Sequence, residues 1–400
     1  MNMFGKKAAA GVFAALFLLA MTPFAARATE ATSAVNRLAV DLYGLFSNEG
    51  ENLCFSPYSI STAFAMASAG ARGETAFELR CSLRYGANIH SANRALAQKL
   101  MRKPEEAGEL EIANSIWPAA GSKLQKRFEN IISGDYFSEI RPQDYARQPE
   151  RARAAINDWV AEKTRDRIKD ILTPGSVRAN TKMVLVNAVY FKAPWLHPFG
   201  EYKTQDADFY VSAAEKRGVR MMNIIDQFEY ADFGDAQVLK LPYRQDEFSM
   251  LLILPRDKNG LKALESKLTL GAVERYKKGL EGKRVSVFLP RFKVEQTFDL
   301  IPALASLGVK AAFSPMTADF SGMNGKRDLF ISAAVHKAFV EVDENGTEAA
   351  AATAIALRLS AAIPEDTARI PVFRADHPFI YLIQDNESGT ILFMGKLEKP

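Results

Sequence analysis

The chain has 400 residues, 48% hydrophobic, 24% charged and 10% aromatic, with a formal net charge of +4. Length alone suggests two or three domains of roughly 150 residues, or one large one. With 24 glycines and 18 prolines the chain is neither collagenous nor linker-rich, and its apolar fraction excludes disorder. Two cysteines exclude a disulfide scaffold and cannot by themselves supply a structural zinc site. The four histidines (His90, His197, His336, His377) are scattered and form no H-E-x-x-H pair.

The N-terminus begins with Lys6 and Lys7, continues as an apolar run from Ala8 to Met21, and reaches a small-x-small site at Ala26-Arg27-Ala28. This is the pattern of a secretory signal peptide cleaved after Ala28. The run is shorter than the about 20 residues a membrane span needs. Cleavage would remove Lys6, Lys7 and Arg27 and no acidic residue, taking the charge from +4 to +1. The basic balance is therefore mostly a targeting signal and points to neither a nucleic-acid nor a membrane partner. The expected location is the periplasm or the medium.

Helical periodicity covers Ser33–Phe46, Tyr58–Ala71, Ser91–Met101 and Pro149–Leu172. In the last, Ile156, Trp159, Val160, Ile168, Ile171 and Leu172 share one stripe. Its basic stretch, Arg151 to Asp170, interleaves six cations with four acids, as expected of a solvated face laced with i,i+4 pairs. Strand-like runs are Met183–Lys192, Ser249–Leu254, Val285–Leu289, Phe339–Val342, Phe379–Ile383 and Thr390–Leu397, the last two joined by a turn at Asp385–Gly389. Cys54 lies in an apolar strand-like stretch and Cys81 ends a helix; both are expected to be buried free thiols. Helices dominate early and strands late, without β-α-β alternation, which favours an α+β fold with antiparallel sheets. No G-x-S-x-G elbow, dinucleotide fingerprint, phosphate loop or C-x-x-C is present.

One segment conflicts with its own propensity. After strand Phe339–Val342 and the turn at Asp343–Gly346, residues Glu348 to Leu359 read as an alanine-rich helix. Only Glu348 and Arg358 are charged, so a helix here would lack amphipathic contrast. With a period of two, Thr347, Ala349, Ala351, Thr353, Ile355 and Leu357 share one face, and Ala350, Ala352, Ala354 and Arg358 the other. Small residues on both faces would let this strand slide between two others, the ambivalence expected of a segment with two native states.

The run Glu344-Asn345-Gly346-Thr347-Glu348-Ala349-Ala350-Ala351-Ala352-Thr353 resembles the reactive-loop hinge of the serpins, the serine protease inhibitors. In the same order along the chain, Phe55–Ile60, Ile156–Val160, Asn187–Trp195, Ala318–Gly322, His336–Glu341, Asp376–Ile380 and Ile391–Gly395 are similar to serpin segments. The resemblance covers the whole chain after the signal peptide. It implies an α+β fold of three β-sheets and about eight or nine helices, formed by one domain, residues 29–400, with an exposed reactive loop over residues 344–370.

It also implies an inhibitor and not an enzyme, a monomer needing neither cofactor nor metal. Its expected partners are elastase-, subtilisin- or trypsin-like serine proteases, and beyond them papain-like cysteine proteases. Gly346 would be the hinge pivot and Thr347 the first residue into the sheet, followed by Glu348, Ala349, Ala350, Ala351, Ala352 and Thr353. Glu344 and Arg291 would brace the top of the opening beside Trp195. Ser56, Ser59, Asn187 and His336 would hydrogen-bond across the sheet where it parts. Counting from Gly346 as in relatives puts the reactive bond at Ser360-Ala361, with Arg358-Leu359 as the alternative. Gly346 to Pro378 spans 32 positions, longer than expected, so counting from the distal end points further on, toward Glu365.

Overall fold

The computed structural model describes residues 23–104, 107–121, 123–347 and 370–400. Among them are ten α-helices and two hydrogen-bonded sheets, one of nine strands and one of six. Strands Lys216–Asp232 and Glu281–Pro290 pair over ten positions and link the two ends of the larger network. The two smaller sheets expected from the resemblance are thereby joined into one ladder. The α+β class is as expected.

Helix Pro57–Gly70 starts where its sequence dictates. Ser56 caps it, its hydroxyl accepting from the Ser59 amide, and Pro57 takes the first turn. Thirteen of its 14 residues are buried, so it is a core helix behind the six-stranded sheet. The first helix, Pro23–Phe46, begins ahead of the expected one and carries Ala28 in its early turns.

Helix Pro149–Lys163 is shorter than the periodicity predicts. Arg165 and Asp166 take left-handed backbone angles (φ 50° and 61°), and Thr164 folds its hydroxyl back to the Val160 carbonyl while accepting from the Ile168 amide. Ile168, Ile171 and Leu172 still join the same apolar cluster, through a turn instead of a helix. The expected i,i+4 lacing is replaced by i,i+3 pairs such as Arg153–Glu150, and by Arg165 reaching across to Glu109 and Glu111. Cys54 is buried as expected, in strand Leu53–Phe55, whereas Cys81 is exposed. The helix Gly73–Ser82 turns Cys81 outward, because its buried positions are Thr75 and Leu79.

The six-stranded sheet holds the site. Its order is Phe292–Asp299, Ala333–Val342, Gly346–Thr347, Met183–Pro194, Glu109–Pro118 and Glu139–Ile140. Strand Met183–Pro194 reads as a nearly continuous apolar run because both of its faces are covered. Val184, Val186 and Ala188 pack outward under Ile156, Trp159 and Val160 of helix Pro149–Lys163. On the inner face, Met183 and Leu185 join the helical core, and Val189, Phe191 and Ala193 join the core between the two sheets. Asn187 points inward where those two cores meet.

Candidate functional site: a parted sheet

Strands Ala333–Val342 and Met183–Pro194 are neighbours with two arrangements along their length. From Ala333 to Phe339 they pair directly and in parallel with Val184 to Tyr190. Three residues further up each strand, Thr347 sits between them, antiparallel to both, opposite Ala193 on one side and Val342 on the other. The chain reaches that slot through a tight reversal. The Asp343 carboxylate accepts from the amides of Asn345 (2.8 Å) and Gly346 (3.2 Å), and the Asp343 amide donates to the Gly346 carbonyl (2.9 Å).

Gly346 is required here by close approach. A Cβ at this position would lie 2.1 Å from the Ala193 carbonyl oxygen and 2.7 Å from Pro194 Cα. This adds a packing reason to the conformational one expected from the sequence. Thr347 is fully buried, and its hydroxyl lies 2.5 Å from that of Tyr243.

Around this slot the expected brace is assembled. Buried Glu344 receives Arg291 Nε at 2.9 Å and 2.7 Å on its two oxygens, and the Thr204 hydroxyl donates to it as well. Burial works to raise the Glu344 pKa, but the hydrogen bonds from Arg291 and Thr204 outweigh it and hold the carboxyl below its ordinary value. The same pairing raises the pKa of Arg291. The Trp195 indole donates to the Asp343 carbonyl (3.0 Å) and the Trp195 amide to that of Asn345 (2.8 Å), so Trp195 holds both sides of the reversal. Its ring stacks on Tyr243, with centroids 4.4 Å apart and planes at 11°.

A second cluster lies lower, where the flanking strands touch. The Ser56 backbone amide donates to His336 Nε2 (2.9 Å), which leaves Nδ1 as the protonated nitrogen, donating to the Asn187 side-chain oxygen. Asn187 Nδ2 donates in turn to the Ser59 hydroxyl and to Asn114 Oδ1, and Ser59 donates to Asn114 (3.0 Å). His336 is fully buried, and burial pushes its pKa down to about 3, so the imidazole is neutral. His336 and Asn187 are register partners on the two strands, so their side-chain bond bridges the seam directly. The four residues expected here do meet, although Ser56 reaches His336 through its backbone and uses its hydroxyl as the helix cap.

Sequence reading missed Asn114, Thr204 and Tyr243. Asn114 had a usable signal: it is an amide inside an apolar strand, as Asn187 is, and the two are register partners. Thr204 and Tyr243 lie in turns and become site residues only through tertiary contact. Glu348, Ala349, Ala350, Ala351, Ala352, Thr353, Arg358, Leu359, Ser360 and Ala361 lie outside the described residues. Among the described residues no grouping of three or more His, Cys, Asp or Glu side chains could hold a metal ion.

The family model for serpin (serine protease inhibitor) matches residues 33–400. The chain is a serpin. It is 40% identical over 383 residues to the leukocyte elastase inhibitor of Bos taurus, covering 93% of this chain and all of that protein. Among solved structures, uncleaved ovalbumin superposes with a TM-score of 0.84 at 28% identity, covering 92% of this chain and 100% of that one. Human thyroxine-binding globulin, complexed with its hormone, gives 0.83 at 27% identity, covering 94% and 99%. The chain thus belongs to a family described as serine protease inhibitors, not enzymes, and the Bos taurus relative is itself named as an inhibitor.

Proposed function

We propose that this serpin is a single-use trap for serine proteases, working by insertion of its cut reactive loop into the six-stranded sheet. The observation that carries this reading is Thr347 seated antiparallel between two strands that pair directly only three residues below it. The target's serine hydroxyl attacks the scissile carbonyl. The C–N bond breaks, the nitrogen leaves as a new N-terminal amine, and an ester joins the serpin to the protease. Release of that end lets the loop continue the strand that Thr347 begins.

The register supports the idea residue by residue. In an antiparallel strand partner numbers fall as loop numbers rise, so six residues beyond Thr347 would put Thr353 opposite Asn187 and His336, and ten would put Leu357 opposite Met183. Ile355 and Leu357 would then face the inner core beside Leu185 and Met183. Ala352, Ala354 and Ala356 would face outward beneath helix Pro149–Lys163, where only small side chains fit against Val184 and Val186. The Thr353 hydroxyl, both donor and acceptor, would meet the His336 and Asn187 groups that lose each other as the strands part. Arg358 would fall just past the end of Met183–Pro194, so a reactive bond at Ser360-Ala361 or Arg358-Leu359 leaves the ester at the far pole.

The test is electrophoresis after mixing with elastase, subtilisin, trypsin and papain in turn, with mass spectrometry of the released C-terminal peptide. An SDS-stable covalent adduct is expected, together with a rise of tens of degrees in Tm on loop cleavage, since a strand is gained. A clipped band with full protease activity would favour the second reading, a carrier or a cleaved substrate. The likeness to a hormone-complexed globulin supports that alternative, and the small residues at 349–353 argue against it.

Export is part of the proposal, resting on the charged start, apolar run and cleavage site of residues 1–28. Protein recovered from the periplasm or medium is expected to begin at Thr29.

A further inference from the structure

We propose that Tyr243 is a positioning residue: its hydroxyl latches Thr347 into the first rung of the sheet before the loop is cut. Tyr243 is immobile by construction. Its amide donates to the Phe248 carbonyl (3.0 Å), one face of its ring stacks on Trp195, and Phe191 packs edge-on at 5.1 Å. The ring is fully buried, and burial pushes the phenol pKa up, so it stays protonated and able to donate. Among the described residues, the Tyr243 and Thr347 hydroxyls are each other's hydrogen-bond partner, at 2.5 Å in a fully buried site.

Two buried hydroxyls facing one another have a particular energetic consequence. Deleting either leaves the other desolvated and unpaired, whereas deleting both leaves two apolar surfaces in contact. The latch therefore favours the hinge in the sheet over the hinge outside it. It predetermines both depth and register, because Gly346 and Thr347 occupy their final places against Pro194 and Ala193 while the strands below are still closed. On the reading proposed above, insertion then starts by lengthening an existing strand, and the costly nucleating step is already made. Trp195 and Glu344 hold the reversal behind the hinge; Tyr243 grips the residue that leads it.

Hydrogen–deuterium exchange on the intact, uncut chain tests the latch without any protease. In Tyr243→Phe, protection of the segment around Gly346 and Thr347 is expected to fall about tenfold, and in Thr347→Val by a similar factor. In the Tyr243→Phe/Thr347→Val double variant it is expected to return to within about twofold of the parent. Unchanged protection in Tyr243→Phe would overturn the latch. So would a loss that Thr347→Val does not rescue, because the ring's packing would then be responsible. With a protease that forms an adduct, the stoichiometry of inhibition should rise in each single variant and recover in the double. If no protease is trapped by any form, the trapping mechanism fails, while exchange at the hinge still decides the latch.

Discussion

The top and the middle of one seam show how the same pair of strands can be both open and shut. At the top, Ala193 and Val342 are held apart by Thr347. In the middle, Asn187 and His336 face each other with nothing between them. At the open end a glycine and a single hydroxyl pair meet the stacked rings of Tyr243 and Trp195, and an ion pair braces the reversal behind them. The closed end is sealed by a buried polar network in which each member satisfies another. Parting is therefore opposed mainly by polar groups that would lose their partners, and it is cheapest for an incoming strand that brings a replacement hydroxyl.

The strongest challenge to this contrast is Thr347→Arg. A guanidinium in this fully buried slot costs several kcal/mol, so hinge protection should drop by more than about a hundredfold. The SDS-stable adduct should be lost as well, leaving a clipped product. Continued trapping would show that the top of the seam does not initiate insertion.

Asn187→Ala attacks the closed end. It strips His336 Nδ1 of its acceptor, leaves Asn114 Oδ1 with the Ser59 hydroxyl alone, and opens a small cavity between the two inner cores. The uncut protein should lose about 3 kcal/mol in urea unfolding, and the seam should open more readily. Unaltered stability would mean that the polar network does not hold the strands together.

Glu344→Gln weakens the brace and not the slot. Losing a charge-assisted bond to the partly exposed Arg291 should cost about 1.5 kcal/mol. The native carboxyl titrates below its ordinary value of 4.5. Its stabilising contribution is therefore complete above pH 4.5 and is lost as pH falls through the lower folded value. The parent should weaken in that acidic window more steeply than the variant does.

The change that is smallest at neutral pH distinguishes the ends by acid titration. His336 titrates at about 3 when folded, against 6.5 as its ordinary value. Between those values the unfolded chain binds the extra proton, so stability declines as pH falls from 6.5 toward 3, by up to about 1.4 kcal/mol per unit. His336→Gln should flatten that slope without changing hinge protection at neutral pH.

Much of this architecture was legible along the chain. Periodicity announced the helix over Tyr58–Ala71, the apolar run at Met183 announced a strand, and the small residues after Gly346 announced a segment fit to slide between strands. The overlong helix at Pro149 shows the limit of periodicity. Its stripe of apolar residues was real, but left-handed angles at Arg165 and Asp166 delivered the last three by a turn. Cys81 was misjudged for a similar reason: which side of a helix is buried depends on what packs against it.

What the sequence determined by itself was chemical and local: family motifs, the periodicity of its helices and strands, and a hinge free of bulk. Only the tertiary structure decided which groups meet. Tyr243 and Thr347 are separated by 104 positions, Thr204 and Glu344 by 140, and His336 and Asn187 by 149. Periodicity reports which face a residue takes, but nothing in it states the register of one strand against another. That register is set by the packing of two cores and by where a missing Cβ lets the backbones touch. It put Thr347 between two strands that pair directly three residues below it.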